Sequence, residues 1–166
     1  MTKHLFFICP TDCLETVINN KIAQENYFHT ILANTSSFKS ETLGYIKDML
    51  ELKNIREITF VLSQENQFLK NLLATQDVFY EKRLYKLRNE ILFDEKRFKL
   101  LFYNRYNLLF LINYYLIKKA NAFDKALHNC WFKDQITINI KLYNNTINEF
   151  TDVNINSLIN SCFELN

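Results

Sequence analysis

The sequence predicts a three-layer α/β fold with a short, mostly parallel sheet, long helices in its second half and a late edge strand. Short apolar runs alternate with amphipathic helical patterns over residues 1–75, which is typical of parallel strands joined by right-handed crossovers. Helical periodicity then dominates residues 78–122, and apolar side chains alternate with polar ones over residues 135–142. With 166 residues and 48% hydrophobic content, the chain is expected to form a single domain, residues 1–166, with a sizeable core.

The first part, residues 1–75, is predicted to be a βαβ core. A helix is expected after its first strand, with Thr11 or Asp12 as the N-cap, because a side-chain oxygen there can accept a hydrogen bond from a free backbone N–H. Further helices are expected over residues 41–53 and after Asn66. The strands are expected where apolar, aromatic and β-branched residues cluster, at residues 5–9, 27–33 and 57–62.

The second part, residues 76–132, is predicted to be a helical elaboration of that core. Its apolar stripes fit two long helices or one bent helix, with a break near Asp94 and a short further helix over residues 123–132. The last part, residues 133–166, is predicted to form an edge strand, a hairpin return and a C-terminal helix, at residues 135–142, 146–150 and 154–165.

The composition excludes several classes of protein. One Gly and one Pro in the whole chain cannot supply a glycine-rich phosphate cradle, so no nucleotide or dinucleotide loop is expected. The most apolar window, residues 108–117, is too short to span a bilayer, and the apolar run at residues 5–9 is too short for a secretion signal. We therefore expect a cytoplasmic protein without a membrane segment, whose four cysteines are reduced thiols.

Polar and thiol-bearing residues gather where the predicted strands end. The first strand ends at Cys9, the second runs into Leu32-Ala33-Asn34, and the third runs into Ser63-Gln64-Glu65-Asn66. Because ligands of open α/β sheets bind outside the carboxyl ends of the strands, any chemistry is expected at this edge.

These three segments and the order of the elements resemble the β-class carbonic anhydrases. Cys9 stands where that family's first strand ends in a C-x-D-x-R motif, residues 32–34 are similar to the end of its R-N-A-G-N segment, and residues 63–66 stand at its H-x-x-C motif. The resemblance implies a zinc ion held by two thiolates and one imidazole, whose bound hydroxide attacks carbon dioxide. It also implies a homodimer.

Most of that zinc site lacks its ligands in this sequence. Cys9 matches the first thiolate of the family, while the imidazole and the second thiolate fall on Ser63 and Asn66. Neutral hydroxyl and amide groups do not replace an imidazole and a thiolate on a tetrahedral zinc. The resemblance therefore implies the fold, whereas the residues argue against the reaction and against a bound zinc ion.

The Asp–Arg pair that gates the zinc in the family is also missing from its positions. The carboxylate falls on Thr11, or on Asp12 if the loop shifts by one residue, and the arginine falls on Cys13. We expect a non-catalytic protein with a binding or scaffold role, with no catalytic residues. Its candidate cleft consists of seven residues, namely Cys9, Thr11, Asp12, Cys13, Asn34, Ser63 and Asn66.

Two other functions stay open from the sequence. Cys9, Cys13 and His29 could form a rearranged zinc site that hydrates carbon dioxide, although thiols of this kind are more commonly part of a core. Residues 78–119 contain ten basic and four acidic residues with interleaved aromatics, and could bind nucleic acid. The competing interpretation is a solvated basic face with the aromatic side chains packed inward.

Overall fold

Five strands form one sheet in the computed structural model, which describes residues 2–35, 38–74, 82–102, 107–129 and 136–154. The strands are β1 (Lys3–Ile8), β2 (Glu25–Thr30), β3 (Glu57–Ser63), β4 (Thr137–Asn144) and β5 (Glu149–Asp152). They lie in the order β2-β1-β3-β4-β5, with β1 to β4 parallel and β5 antiparallel to β4. The predicted short, mostly parallel sheet is therefore confirmed.

Helices cover both faces of this sheet. They are α1 (Glu15–Lys21), α2 (Ser40–Lys53), α3 (Gln67–Ala74), α4 (Lys82–Phe102) and α5 (Leu108–Asn129). Ile18 of α1 packs with Phe6 and Val61 in a smaller core cluster on one face. The other four helices contribute to the larger cluster on the opposite face, so the fold has the three layers that were expected.

The two central strands, β1 and β3, are buried on both faces over nearly their whole length. A strand in that position needs a continuous apolar run, which is why both runs were visible in the sequence. Phe7 and Phe60 stack with ring centroids 4.5 Å apart, and Phe123 of α5 packs against them at 5.1 and 5.5 Å. These three rings hold α5 against the middle of the sheet.

β4 is not the edge strand that its alternating pattern predicted. It pairs with β3 on one side and with β5 on the other, so the late edge strand of the sheet is β5. β5 is four residues long, and only Phe150 among them is half-buried. A strand this short and polar gives almost no hydrophobic signal, and the sequence placed the hairpin return at residues 146–150 instead.

The long helices also differ from the expectation in two places. α4 continues through Asp94 without a break, and the buried carboxylate accepts a hydrogen bond from Lys118 Nζ of α5 at 2.8 Å. Residues 123–129 belong to α5 and not to a separate helix, while residues 130–132 and 155–165 of the remaining predicted helices lie outside the described residues. In the described part of the chain, none of the helices combines the length and apolar character needed to cross a membrane.

The segment after β1 is a separate 3-10 turn, Pro10–Asp12, and not the first turn of a helix. Cys13 adopts a left-handed conformation with φ 51°, and α1 begins at Glu15 with no side chain capping its N-terminus. The predicted capping role of Thr11 or Asp12 is therefore wrong. Both side chains form hydrogen bonds elsewhere, at the carboxyl edge of the sheet.

Candidate functional site

The candidate cleft lies at the carboxyl edge of the sheet, between β1 and β3. The chain leaves β1 toward β2 on one side and leaves β3 toward β4 on the other, with α1 and the remaining helices on opposite faces. Such a reversal opens a crevice between the two strands, and ligands of α/β sheets bind in crevices of this kind. The structure brings Cys9, Asp12, Asn34, Ser63 and Asn66 to this edge of the sheet.

The Cys9 thiol is fully buried and is held by the turn that follows β2. Its sulfur accepts a hydrogen bond from the Ala33 N–H at 3.1 Å and lies 3.0 Å from the Thr11 hydroxyl oxygen. The Ala33 carbonyl accepts a hydrogen bond from the Tyr115 hydroxyl of α5 at 2.7 Å, and burial raises the pKa of Tyr115 above its ordinary value. Cys9 is thus part of a packed connection between β1, the turn and α5.

The turn after β2 lies where the sequence predicts the end of a strand, at residues 27–33. β2 ends at Thr30, and residues Leu32–Asn34 form a 3-10 turn in which Ala33 and Asn34 have φ of 45° and 54°. A left-handed conformation at a non-glycine residue costs about 1–2 kcal/mol, so other contacts must hold it in place. The hydrogen bonds to both backbone groups of Ala33 meet that requirement.

Asp12 is the centre of the hydrogen bonding in the cleft. Its Oδ2 accepts from the Ser63 N–H at 2.8 Å, and its Oδ1 accepts from the Asn66 side-chain amide at 2.8 Å. Burial raises the pKa of the Asp12 carboxyl above its ordinary value, and this effect outweighs the opposing effect of the two hydrogen bonds. The carboxylate therefore links the turn after β1 to the end of β3.

Ser63 and Asn66 have their remaining polar atoms bonded as well. The Ser63 hydroxyl donates to Asn145 Oδ1 at 2.9 Å and accepts from the Glu65 N–H at 3.1 Å. Asn66 Oδ1 accepts from the Leu69 N–H at 2.8 Å, which caps the N-terminus of α3. Asn145 was not among the predicted residues of the cleft, although a turn directly after a parallel strand must lie at the same edge.

Asn34 closes the gap between the two strands. Its side-chain amide donates to the Val61 carbonyl at 3.1 Å, and the residue is fully buried. Its Oδ1 is one of the buried side-chain atoms in the described part of the chain that have no hydrogen-bond partner. The side-chain amide of Asn34 thus joins the turn after β2 to β3, one residue beyond the last registered pair of β1 and β3, Phe7 and Phe60.

The residues of the alternative zinc site do not come together. Cys13 is exposed, and its thiol donates to the Pro10 carbonyl at 3.4 Å, away from the buried Cys9. His29 lies on β2 with its ring edge-on to Phe7 at 4.9 Å, where burial lowers its pKa. Over the described residues, no group of three or more His, Cys, Asp or Glu side chains is close enough to hold a metal ion.

The basic segment at residues 78–119 includes the whole of α4 and the first half of α5. Some of its cations are paired with acids on the same two helices: Lys99 with Glu95 at 2.9 Å and Lys118 with Asp94 at 2.8 Å. Aromatic rings such as Phe98 and Phe110 pack inward against each other at 4.9 Å. These side chains therefore serve the packing of α4 against α5.

Comparison with known proteins gives structural matches but no sequence matches. A scan against protein-family models found no match, and no curated protein of similar sequence was found. The wild-type β-carbonic anhydrase CafD of Aspergillus fumigatus superimposes with a TM-score of 0.65 at 12% identity, covering 93% of this chain and 90% of that one. The chain has the β-carbonic anhydrase fold.

Two further neighbours support the same fold. The β-carbonic anhydrase CafA of Aspergillus fumigatus matches with a TM-score of 0.66 at 10% identity, covering 98% of this chain and 82% of that one. A tetrameric β-carbonic anhydrase of Sordaria macrospora matches with a TM-score of 0.65 at 12% identity, covering 91% and 80%. At this level of identity the likeness establishes the fold alone, so function has to be argued from the cleft itself.

Proposed function

We propose that this chain is a non-catalytic protein of the β-carbonic anhydrase type, with a binding or scaffold role. The observation that carries the proposal is the pair of hydrogen bonds that the Asp12 carboxylate accepts, from the Ser63 backbone N–H and from the Asn66 side-chain amide, at 2.8 Å each. These are the positions that the resemblance assigns to the imidazole and second thiolate ligands. A hydrogen-bonded carboxylate joins the strand ends where a metal ion would otherwise join them.

The donor set does not fit a zinc ion. Zinc in proteins is bound by thiolate, imidazole and carboxylate groups, and a hydroxyl and a primary amide are poor substitutes. Ser63 Oγ and both side-chain heteroatoms of Asn66 are already engaged with protein partners. The Cys9 sulfur, the one matching ligand, accepts the Ala33 N–H instead.

The decisive experiment measures zinc content and carbon dioxide hydration on protein purified without chelators. We expect far less than one zinc per chain and a hydration rate equal to the uncatalysed rate. One zinc per chain together with hydration activity would overturn the proposal and favour the alternative, a zinc-dependent lyase with ligands rearranged around Cys9, Cys13 and His29.

A gain-of-binding variant tests the same proposal from the other side. Ser63→His combined with Asn66→Cys restores the family's two missing ligand types beside Cys9, and we expect this variant to retain zinc. The matched control adds Cys9→Ser to the same pair and should lose the metal. Thermal unfolding of all three proteins separates a failure to bind zinc from a failure to fold.

Self-association is the second part of the proposal. A structural neighbour is tetrameric, and we propose that this chain forms at least a homodimer. Several large apolar side chains of the described residues are more than half exposed, which is typical of surfaces that are covered by a partner. Sedimentation velocity at micromolar concentration should give the mass of a dimer or a larger oligomer, and a monomer would contradict this part.

A further inference from the structure

The outer face of α4 combines exposed apolar and basic side chains. Tyr85, Phe93 and Leu100 are 51%, 68% and 82% exposed, and at 100° per residue they fall within an arc of about 80° on the helix. An open hollow of about 460 Å³ lies beside the first two, toward Lys118 of α5. The face also carries four exposed cations. We call this surface the basic face, and it consists of seven exposed residues, namely Lys82, Tyr85, Lys86, Phe93, Lys96, Arg97 and Leu100.

Of the described acidic residues of α4, only Glu90 lies at the border of this face, where it lines the hollow. Asp94 is buried, and Glu90 and Glu95 are half-buried toward α5 or the neighbouring turn of α4. The positive charge of the basic face is therefore concentrated near its two ends, at Lys82 with Lys86 and at Lys96 with Arg97. Apolar side chains lie between these ends, and Glu90, which lies 3.8 Å from Lys119, lines the hollow beside them.

The outer face of α2 has the complementary pattern. Tyr45 and Leu52 are 63% and 83% exposed, and Glu41 and Asp48 are exposed beside them. At 100° per residue these four positions fall within an arc of about 60° on the helix. We call this surface the acidic face: Glu41, Tyr45, Asp48 and Leu52.

These two faces account for most of the exposed apolar surface of the described residues. Seven large apolar side chains are classed as exposed, and five of them lie on the basic or the acidic face. Both faces belong to the helical layer on the same side of the sheet. Within one chain, however, the exposed apolar side chains of each helix lie on the side opposite to its core residues.

We propose that the basic face of one copy docks on the acidic face of a second copy. Charge indicates which surface of the second copy binds the basic face. Two basic faces together would bring eight cations into one interface, whereas the basic and acidic faces attract each other. Aromatic and aliphatic side chains lie along the middle of both faces, as in the core of a protein interface, with charges at the rim. This inference deepens the self-association proposed above by naming its surface.

A contact between unlike faces has a consequence for the assembly. It closes into a dimer or ring if the rotation between copies allows it, and it otherwise continues into longer oligomers. The mass of the wild-type protein, measured over a range of concentrations, therefore distinguishes a dimer, a larger ring and an open series of oligomers.

Charge reversal with rescue tests the proposal. Sedimentation velocity is measured from about 1 to 100 μM on the wild type, on Lys86→Glu with Arg97→Glu, on Glu41→Lys with Asp48→Lys, and on all four changes together. We expect each pair alone to weaken association by about tenfold or more, because like charges then face each other, and the fourfold variant to restore it. Lys125→Glu, a reversal at an exposed position of α5, is the control and should associate as the wild type does.

Three outcomes would overturn the proposal, and they differ in whether they also contradict the proposed self-association. A wild type that stays monomeric at about 100 μM would remove both this surface and the proposed self-association. An oligomer that no reversal weakens, or that the fourfold variant does not restore, would leave self-association standing and exclude these faces. Retention of monomeric wild type on a single-stranded DNA column, lost on Lys86→Glu with Arg97→Glu, would assign the basic face to nucleic acid. Zinc content is unaffected in every case.

Discussion

The candidate cleft and the basic face of α4 differ in where their side chains find partners. In the cleft, Ser63 and Asn66 are buried and both donate hydrogen bonds to the half-buried Asp12. On the basic face, Phe93 and Leu100 remain exposed to solvent. A buried polar group without a partner destabilises the fold, whereas an exposed apolar side chain hardly does so. The cleft should therefore matter for stability, and the basic face for contacts with other molecules.

Within the cleft, the comparison predicts the largest loss of stability at Asn66. Asn66→Ala removes the cap of α3 and leaves Asp12 Oδ1 buried without its donor. We expect the free energy of unfolding to fall by about 2–4 kcal/mol in urea denaturation. Gln67→Ala, a change at the exposed neighbouring position, is the control and should cost less than about 0.5 kcal/mol. Equal effects at both positions would contradict the role assigned to the cleft.

The second prediction concerns the pH dependence at Asp12. Asp12→Asn cannot accept both hydrogen bonds and should cost about 1–2 kcal/mol near pH 5. Because burial raises the pKa of Asp12 in the folded state, the carboxyl contributes stability below its ordinary pKa of about 3.9 and loses it as pH rises through the raised pKa. The cost of Asp12→Asn should therefore be larger at about pH 4 than at about pH 7. Urea denaturation of both proteins at these two values measures it, and a cost that grows with pH would contradict the burial argument.

The fold was predictable from the sequence because its signals are local. Apolar runs predicted β1 and β3, the strands that are buried on both faces, and helical periodicity predicted α2, α4 and α5. The neighbours of β4 were not predictable, since β5 is too short and polar to be detected. The location of the cleft was predictable from strand ends alone, as parallel strands end at the same edge.

The bonding inside the cleft was not predictable, because it joins residues far apart in the chain. Asp12 is 51 residues from Ser63 and 54 from Asn66, and nothing local indicates either bond. An aspartate shortly before a helix is more commonly a cap, and that preference led to the wrong prediction. The left-handed conformation of Ala33 was not predictable either, because it depends on hydrogen bonds to Cys9 and Tyr115.

The third prediction concerns the hydrogen bond by which Tyr115 stabilises the turn at Leu32–Asn34. Tyr115→Phe removes the hydroxyl that donates to the Ala33 carbonyl at 2.7 Å and keeps the ring in place. We expect a loss of about 1 kcal/mol in the free energy of unfolding, the typical worth of one buried hydrogen bond. Tyr114→Phe, on the neighbouring position of α5, is the control. If both variants unfold alike, the bond to Ala33 does not hold the turn.

The smallest effect is expected on the basic face. Phe93→Ser removes a ring that is 68% exposed, so little apolar burial is lost on folding, and the free energy of unfolding should change by less than about 0.5 kcal/mol. Phe98, five residues further along the same helix, is 7% exposed and packs against Phe110 and Tyr114, so Phe98→Ser should cost about 3 kcal/mol or more. Both variants are unfolded in urea at about 1 μM, where association contributes least. A large loss on Phe93→Ser would show that this ring stabilises the single chain, and its exposure would then no longer favour a partner.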